Sequence, residues 1–269
     1  MHIRPCRPNR DGTAVYAAVL CNQTKLKNQI MTFDLQNYRT SKAEVIELIK
    51  KSHAWESNEG FVADGVINPE IFAKQKVKIL CLLGETYGYG QSKMTDIESQ
   101  GQQDILGVGS PTVKTPQKIG ALIWILIKSL EDGAFVKWDD VPYLFKIEEE
   151  AKIQLALSKI AWVNVKKASN SNVRQDYKQI YDSAGRNSEI ITEQINSICP
   201  NLIIVCSDAV FDGLSDADLL GNNIVAEKRK IQTNEKGQKI IYLSHPSYPA
   251  DWGYESVYEL AEELYNDLK

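Results

Sequence analysis

Four short apolar runs punctuate the chain: Val77–Leu83 (VKILCLL), Ile160–Val165 (IAWVNV), Leu202–Cys206 (LIIVC) and Ile240–Leu243 (IIYL). Each is continuous rather than alternating, which predicts strands covered on both faces. Around them the spacing turns helical. Ser41–Lys51 opens with Ser41 and Glu44 at capping-box spacing and places Val45, Ile46 and Ile49 on one face. Ile119–Leu130 is apolar enough for a buried helix, and Glu148–Leu157 gives a weaker helical pattern. Glu189–Ile198 lines up Ile190, Ile191, Gln194, Ile195 and Ile198, and Ser256–Leu268 lines up Val257, Leu260, Ala261, Leu264 and Leu268. A hairpin turn near Asn234–Gly237 feeds the last strand. Strands alternating with helices predict βαβ units and an α/β fold around a mainly parallel, four-stranded sheet. Residues 1–75 are expected as an N-terminal helical extension packed on a core domain of residues 76–269.

Composition sets limits on this picture. With 43% hydrophobic and 25% charged residues among 269, the chain can bury a full core as one large domain. No apolar run reaches the ~20 residues of a membrane span, and Met1–Arg10 has no signal-peptide core. A cytoplasmic protein without a membrane partner is expected. The five cysteines form no CxxC pair and only three histidines accompany them, so no metal and no cofactor are expected. Cys81 and Cys206 lie inside strand runs and read as small core residues. The net charge of -4 argues against a uniformly basic nucleic-acid-binding surface. It is unevenly spread: residues 1–51 carry nine Lys/Arg against four Asp/Glu, and residues 251–269 carry one against six. That distribution permits a basic face on an acidic molecule, and equally a scatter of solvated charges.

In parallel α/β sheets, ligands bind outside the carboxyl ends of the strands. The residues there are Gly84-Glu85-Thr86-Tyr87-Gly88 after the first run, Asn164 at the end of the second, and His245-Pro246-Ser247 after the last. The segment Thr86–Gln117, rich in Gly, Gln, Ser and Thr, is expected as a long loop, either functional or disordered. The glycine-rich turn fits neither GxGxxG nor GxxxxGK[ST], and no GxSxG elbow occurs, so phosphate-cradling and serine-hydrolase chemistry find little support.

The ordered set LLGETYGYG at 82–90, IAWVNVKK at 160–167 and SHPSYP at 244–249 resembles the uracil-DNA glycosylase superfamily across roughly residues 60–269. In that family a glycine-containing motif follows the first core strand, a strand-borne Asn comes next, and a His-Pro-Ser motif follows the last strand. Glu85 matches the branch whose first motif reads Gly-Glu-Ala-Pro-Gly, but this chain has Thr86 and Tyr87 at the next two positions and lacks that branch's four cluster-binding cysteines. The resemblance implies a three-layer α/β/α fold, a monomer, and hydrolysis of a base–sugar bond in DNA.

Such chemistry must stabilise a departing anionic base and an oxocarbenium sugar while aiming one water at C1′. The resemblance makes His245 the donor to the pyrimidine O2. Asn164 offers an acceptor and donors to the base edge; one amide orientation suits uracil and the other cytosine, and the sequence leaves both open. Glu85 is the candidate to orient water or stabilise the oxocarbenium, with Thr86 as an alternative water ligand. Gly84, Tyr87, Gly88 and Tyr89 are expected to line the base pocket. Gly88 stands where uracil-specific members carry a tyrosine against C5, so the pocket is expected to admit a bulky 5-substituent. A 5-modified cytosine of phage DNA, such as glucosylated hydroxymethylcytosine, excised in antiphage defence, is the leading substrate expectation; uracil repair and a catalytically inactive DNA-binding module are the alternatives. Extrusion of the base requires phosphate clamps and a wedge. Ser110, Lys114, Lys118, Lys166, Lys167 and Ser247 are candidate clamps, and Tyr248 or Trp252 the candidate wedge. Each residue also has an ordinary alternative: a strand-end cap for Asn164, an ion pair for Glu85, surface solvation for the lysines.

Overall fold

The computed structural model describes residues 32–51, 61–85, 94–96, 114–141, 150–167, 176–248 and 252–269. Eight strands and eight α-helices are built from them, and Phe33–Lys269 forms one compact unit. The strands are β1 (Phe61–Ala63), β2 (Gly65–Val66), β3 (Ile79–Leu83), β4 (Met94–Asp96), β5 (Ala161–Asn164), β6 (Leu202–Cys206), β7 (Ile231–Thr233) and β8 (Lys239–Leu243). The helices are α1 (Leu35–Lys51), α2 (Pro69–Ala73), α3 (Lys114–Asp132), α4 (Glu150–Leu157), α5 (Tyr177–Arg186), α6 (Ser188–Ile198), α7 (Asp208–Asp216) and α8 (Tyr254–Leu268).

The main sheet runs β2-β5-β3-β6-β8-β7. Its central strands β5, β3, β6 and β8 are parallel, and β2 and β7 add antiparallel edges. The sheet is therefore six-stranded and mixed, not four-stranded. The two edges left no apolar run because β2 spans two residues and β7 is partly exposed. The four expected strands all form, and the β7–β8 hairpin closes where Asn234 N–H and Gln238 O meet at 3.0 Å. A separate parallel pair joins β1 to β4, and β4 lies inside the stretch expected as a loop. That stretch also ends sooner than expected, because α3 begins at Lys114.

The central strands alternate between two cores. Cys81, Leu83, Trp162, Ile204, Cys206, Ile241 and Leu243 pack with α3, α4 and α8. Leu80, Leu82, Val163, Ile203, Val205 and Ile240 pack with α5, α6 and α7. Helices on both faces explain the continuous apolar runs, since each fully buried Leu, Ile or Val contributes about 1.5–3 kcal/mol. Gly213 lets α7 approach α5 closely, because a Cβ there would meet Ala184 Cβ at 2.7 Å. Neither α5 nor α7 was expected from the sequence. Their exposed faces carry Asp, Lys and Tyr, and their apolar stripes span only two to three turns.

Residues 33–73 belong to the same compact unit as the sheet, and Gly65–Val66 supplies its β2 edge. The capping-box expectation also fails. Helix α1 starts six residues earlier, where Asp34 Oδ1 accepts from Asn37 N at 2.7 Å, and Ser41 lies within the helix. Val45 and Ile49 of α1 pack against Ile190 of α6. Among the described residues, no helix is long and apolar enough to cross a membrane, and no group of three His, Cys, Asp or Glu is placed to hold a metal ion.

Candidate functional site

Because β5, β3, β6 and β8 are parallel, their carboxyl ends form one edge. Asn164 closes β5, Gly84-Glu85 follows β3, Ser207 follows β6, and His245 follows β8. The chain leaves β3 for β5 on one side and then crosses to β6 on the other, so the strand order reverses at β3, where α/β sheets form their ligand crevices. At about 4.8 Å per strand, Asn164 and His245 stand roughly 14 Å apart along this edge, with Glu85 between them.

Glu85 is locked beside Asn164 by the main chain. Val165 N–H donates to Leu83 O at 2.8 Å, and Lys166 N–H donates to Gly84 O at 2.9 Å. The Glu85 side chain is fully buried. Its Oε2 lies 3.3 Å from Lys166 Nζ, which also reaches Gln179 Oε1 at 3.3 Å. Its Oε1 is buried with no hydrogen-bond partner among the described residues. The ion pair expected as the ordinary alternative is thus present, but it occupies one oxygen. A buried carboxylate oxygen without a donor costs about 1–3 kcal/mol or more, and such an atom at a strand end calls for a further donor.

Asn164 is buried and sits in a closed polar network. Asp64 Oδ2 accepts from Asn164 N at 2.5 Å and from Asn164 Nδ2 at 3.1 Å. Asp64 Oδ1 accepts from Lys167 Nζ at 2.8 Å and from Gln194 Nε2 at 2.9 Å. Lys167 Nζ also donates to Gln194 Oε1 at 2.7 Å, and Gln194 Nε2 to Asp64 O at 3.0 Å. Lys167 is 1% exposed and Asp64 3% exposed. Burial lowers the pKa of the Lys167 ammonium, while the Asp64 carboxylate pulls it back up. Lys167 is therefore not the phosphate clamp expected from the Lys-Lys pair: its ammonium is spent inside the protein. Gly65 makes the network possible. Its φ of 147° is one that L side chains rarely adopt, and a Cβ would meet Tyr38 Oη at 2.6 Å. That hydroxyl accepts from Val66 N at 2.8 Å and fixes the strand that delivers Asp64.

The His245 side is built differently. Ser247 N–H donates to His245 Nδ1 at 3.2 Å, and Ser247 Oγ lies 2.8 Å from the same nitrogen. An Nδ1 that accepts a main-chain N–H has its lone pair free, so the neutral ring carries its proton on Nε2. Burial, and then the nearby Lys118 charge, lower the His245 pKa to about 4. Lys118 Nζ donates to Pro246 O at 2.7 Å, and Tyr248 N–H closes a turn on His245 O at 2.8 Å. Tyr248 is 61% exposed. Trp252 is 1% exposed and donates its Nε1–H to Ser244 O at 2.8 Å, so it is a strut beneath the turn and not a wedge.

Two residues of this edge escaped the sequence reading. Asp64 lay in the supposed extension, marked only by an Asp-Gly turn pair. Ser207 caps α7, accepting from Val210 N at 3.4 Å, with φ 137° and ψ 157°. That conformation is almost exclusive to glycine and stores about 1–3 kcal/mol. It lies at mid-edge, between the Glu85 and His245 strands. Of the other expected residues, Thr86, Tyr87, Gly88, Tyr89 and Ser110 lie outside the described residues, as does the side chain of Lys114. A cavity of about 490 Å³ lies elsewhere, between α5 and α7, lined by Tyr181, Arg186 and Asp216 among others.

Comparison with protein-family models finds no match to the chain, and comparison with curated proteins finds none.

Proposed function

We propose that this protein is a DNA glycosylase that hydrolyses the N-glycosidic bond of a flipped-out pyrimidine. The observation that carries the reading is the pairing, along one strand-end edge, of a neutral His245 that offers Nε2–H with a buried, unpartnered Glu85 oxygen. As the C1′–N1 bond breaks, its electron pair passes to the base and charge builds on O2. His245 Nε2–H donates to that oxygen, and the depressed His245 pKa keeps the ring a neutral donor at physiological pH. The carboxylate of Glu85 faces the oxocarbenium and takes a proton from the water that adds to C1′. Asn164 reads the base edge. The exposed Tyr248, three residues after His245, fits the wedge that fills the emptied stack. Gly88 in the sequence, in place of a wall at C5, favours bases with a bulky 5-substituent, and foreign DNA with modified pyrimidines is the natural source of these.

The test is base release from DNA carrying uracil, a thymine mismatch, hydroxymethylcytosine or glucosylated hydroxymethylcytosine, scored as alkali-labile abasic sites. Release is expected to fall at least ~100-fold in His245→Ala and in Glu85→Gln. Efficient release of plain uracil alone would make the protein a repair enzyme. DNA binding without release on any substrate would leave a binding module of this fold.

A further inference from the structure

Resting on the glycosylase reading, we infer that Asp64 is a specificity-determining residue that acts through Asn164, turning its amide to read a pyrimidine with N3–H and a 4-oxo group and to reject a 4-amino one. The argument is directional. Just past β5, Val165 N–H points toward β3, because it donates to Leu83 O. The adjacent Asn164 N–H therefore points the other way, toward β2, and it is this N–H that meets Asp64 Oδ2. The same carboxylate oxygen holds Asn164 Nδ2. A carboxylate only accepts, so the amide nitrogen must face it. The nitrogen thus lies on the outer side of β5, away from β3, β6 and β8, and Oδ1 is the inner branch.

His245 stands at the opposite end of the same edge, three strands away. A base with O2 at His245 and its edge at Asn164 presents N3 on the inner side and its 4-substituent on the outer side. The inner Oδ1 then meets position 3 and the outer Nδ2 meets position 4. A 4-oxo pyrimidine complements both: N3–H donates to Oδ1, and O4 accepts from Nδ2. A cytosine opposes both, with an N3 lone pair against Oδ1 and an amino group against Nδ2. Rotating the amide to suit cytosine would set Oδ1 against the Asp64 carboxylate, and Lys167 and Gln194 hold that carboxylate in place. The expectation of a 5-modified cytosine accordingly shifts to a 5-modified uracil.

The experiment uses full-length protein and DNA with matched pairs differing at position 4: uracil and cytosine, 5-hydroxymethyluracil and 5-hydroxymethylcytosine, and their 5-glucosyloxymethyl forms. In the wild type the 4-oxo member of the cleaved pair is expected to be released at least tenfold faster. Asp64→Asn, whose amide can turn either face to Asn164, is expected to reduce that ratio roughly tenfold. Asp64→Asn combined with Lys167→Met removes both buried charges and keeps the comparison available where the single variant fails to fold. A merely structural role would slow both members alike and leave the ratio unchanged. Faster release of the 4-amino member by the wild type, or an unchanged ratio in a folded variant, overturns the inference while the glycosylase reading stands. Release of no base at all overturns both.

Discussion

The two ends of the strand-end edge hold their polar side chains by opposite means. At the β5 end, Asn164 is fixed by formal charge: a buried carboxylate, satisfied by a buried ammonium and a glutamine from α6. At the β8 end, His245 is fixed by a tight turn whose struts are neutral or reach main-chain carbonyls. Ser247 bonds the ring, Lys118 bonds Pro246 O, and Trp252 bonds Ser244 O. A buried ion pair gives a single orientation and fails badly when halved. A turn bonded to main-chain atoms gives a ring position that survives side-chain changes and is set by local chemistry.

The largest test of this contrast is Lys167→Met. It leaves Asp64 charged, buried and half-satisfied, and is expected to cost about 3–5 kcal/mol. Adding Asp64→Asn should restore most of the loss, read as the shift in urea midpoint at constant slope. A single variant within about 1 kcal/mol of wild type would mean that the pair is not closed to solvent. At the other end, His245→Gln is expected to change stability by less than about 1 kcal/mol at pH 7, but to change its pH dependence. The folded ring titrates at about 4 and an unfolded histidine near ~6.5. The unfolded chain therefore binds the extra proton first. Stability from the neutral ring is complete above about pH 6.5 and is lost as the pH falls toward about 4. Melting temperatures of wild type and variant should converge or cross over that interval, and parallel curves would remove His245 from the explanation. The smallest effect is at the centre of the edge. Ser207→Gly relieves the strained backbone and gives up only a few tenths of a kcal/mol of capping, for a net gain of about 1 kcal/mol. A loss of stability would show that the cap outweighs the strain.

Much of this molecule is written in its hydrophobic runs. Leu202–Cys206 is predicted to the residue, and the other three central strands fall within one or two residues at either end, because a strand buried on both faces has no alternation to confuse the period. The edges are not legible, since Gly65–Val66 is too short to carry any pattern and takes its place only through pairing with β5. The strand-end positions of Glu85, Asn164 and His245 are legible because each follows or closes one of these runs. The role of Lys167 was misread, because a Lys-Lys pair after a strand looks like solvated surface. One signal did exist. Gln194 sits within the apolar stripe of α6, and a polar residue on a buried helical face asks for a buried partner. Its partner, Asp64, lies 130 residues away, beyond the reach of any local pattern.

The β2 edge has a practical consequence for anyone who trims the protein. A chain begun at residue 76 would keep all four parallel strands, Glu85, Asn164 and His245, and would look complete by sequence alone. It would also discard Asp64, strand Lys167 as an ammonium in the protein interior, and free the Asn164 amide to rotate. Such a fragment is expected to be poorly soluble, and the Asn164 side of the edge would lose the buried charge that fixes it.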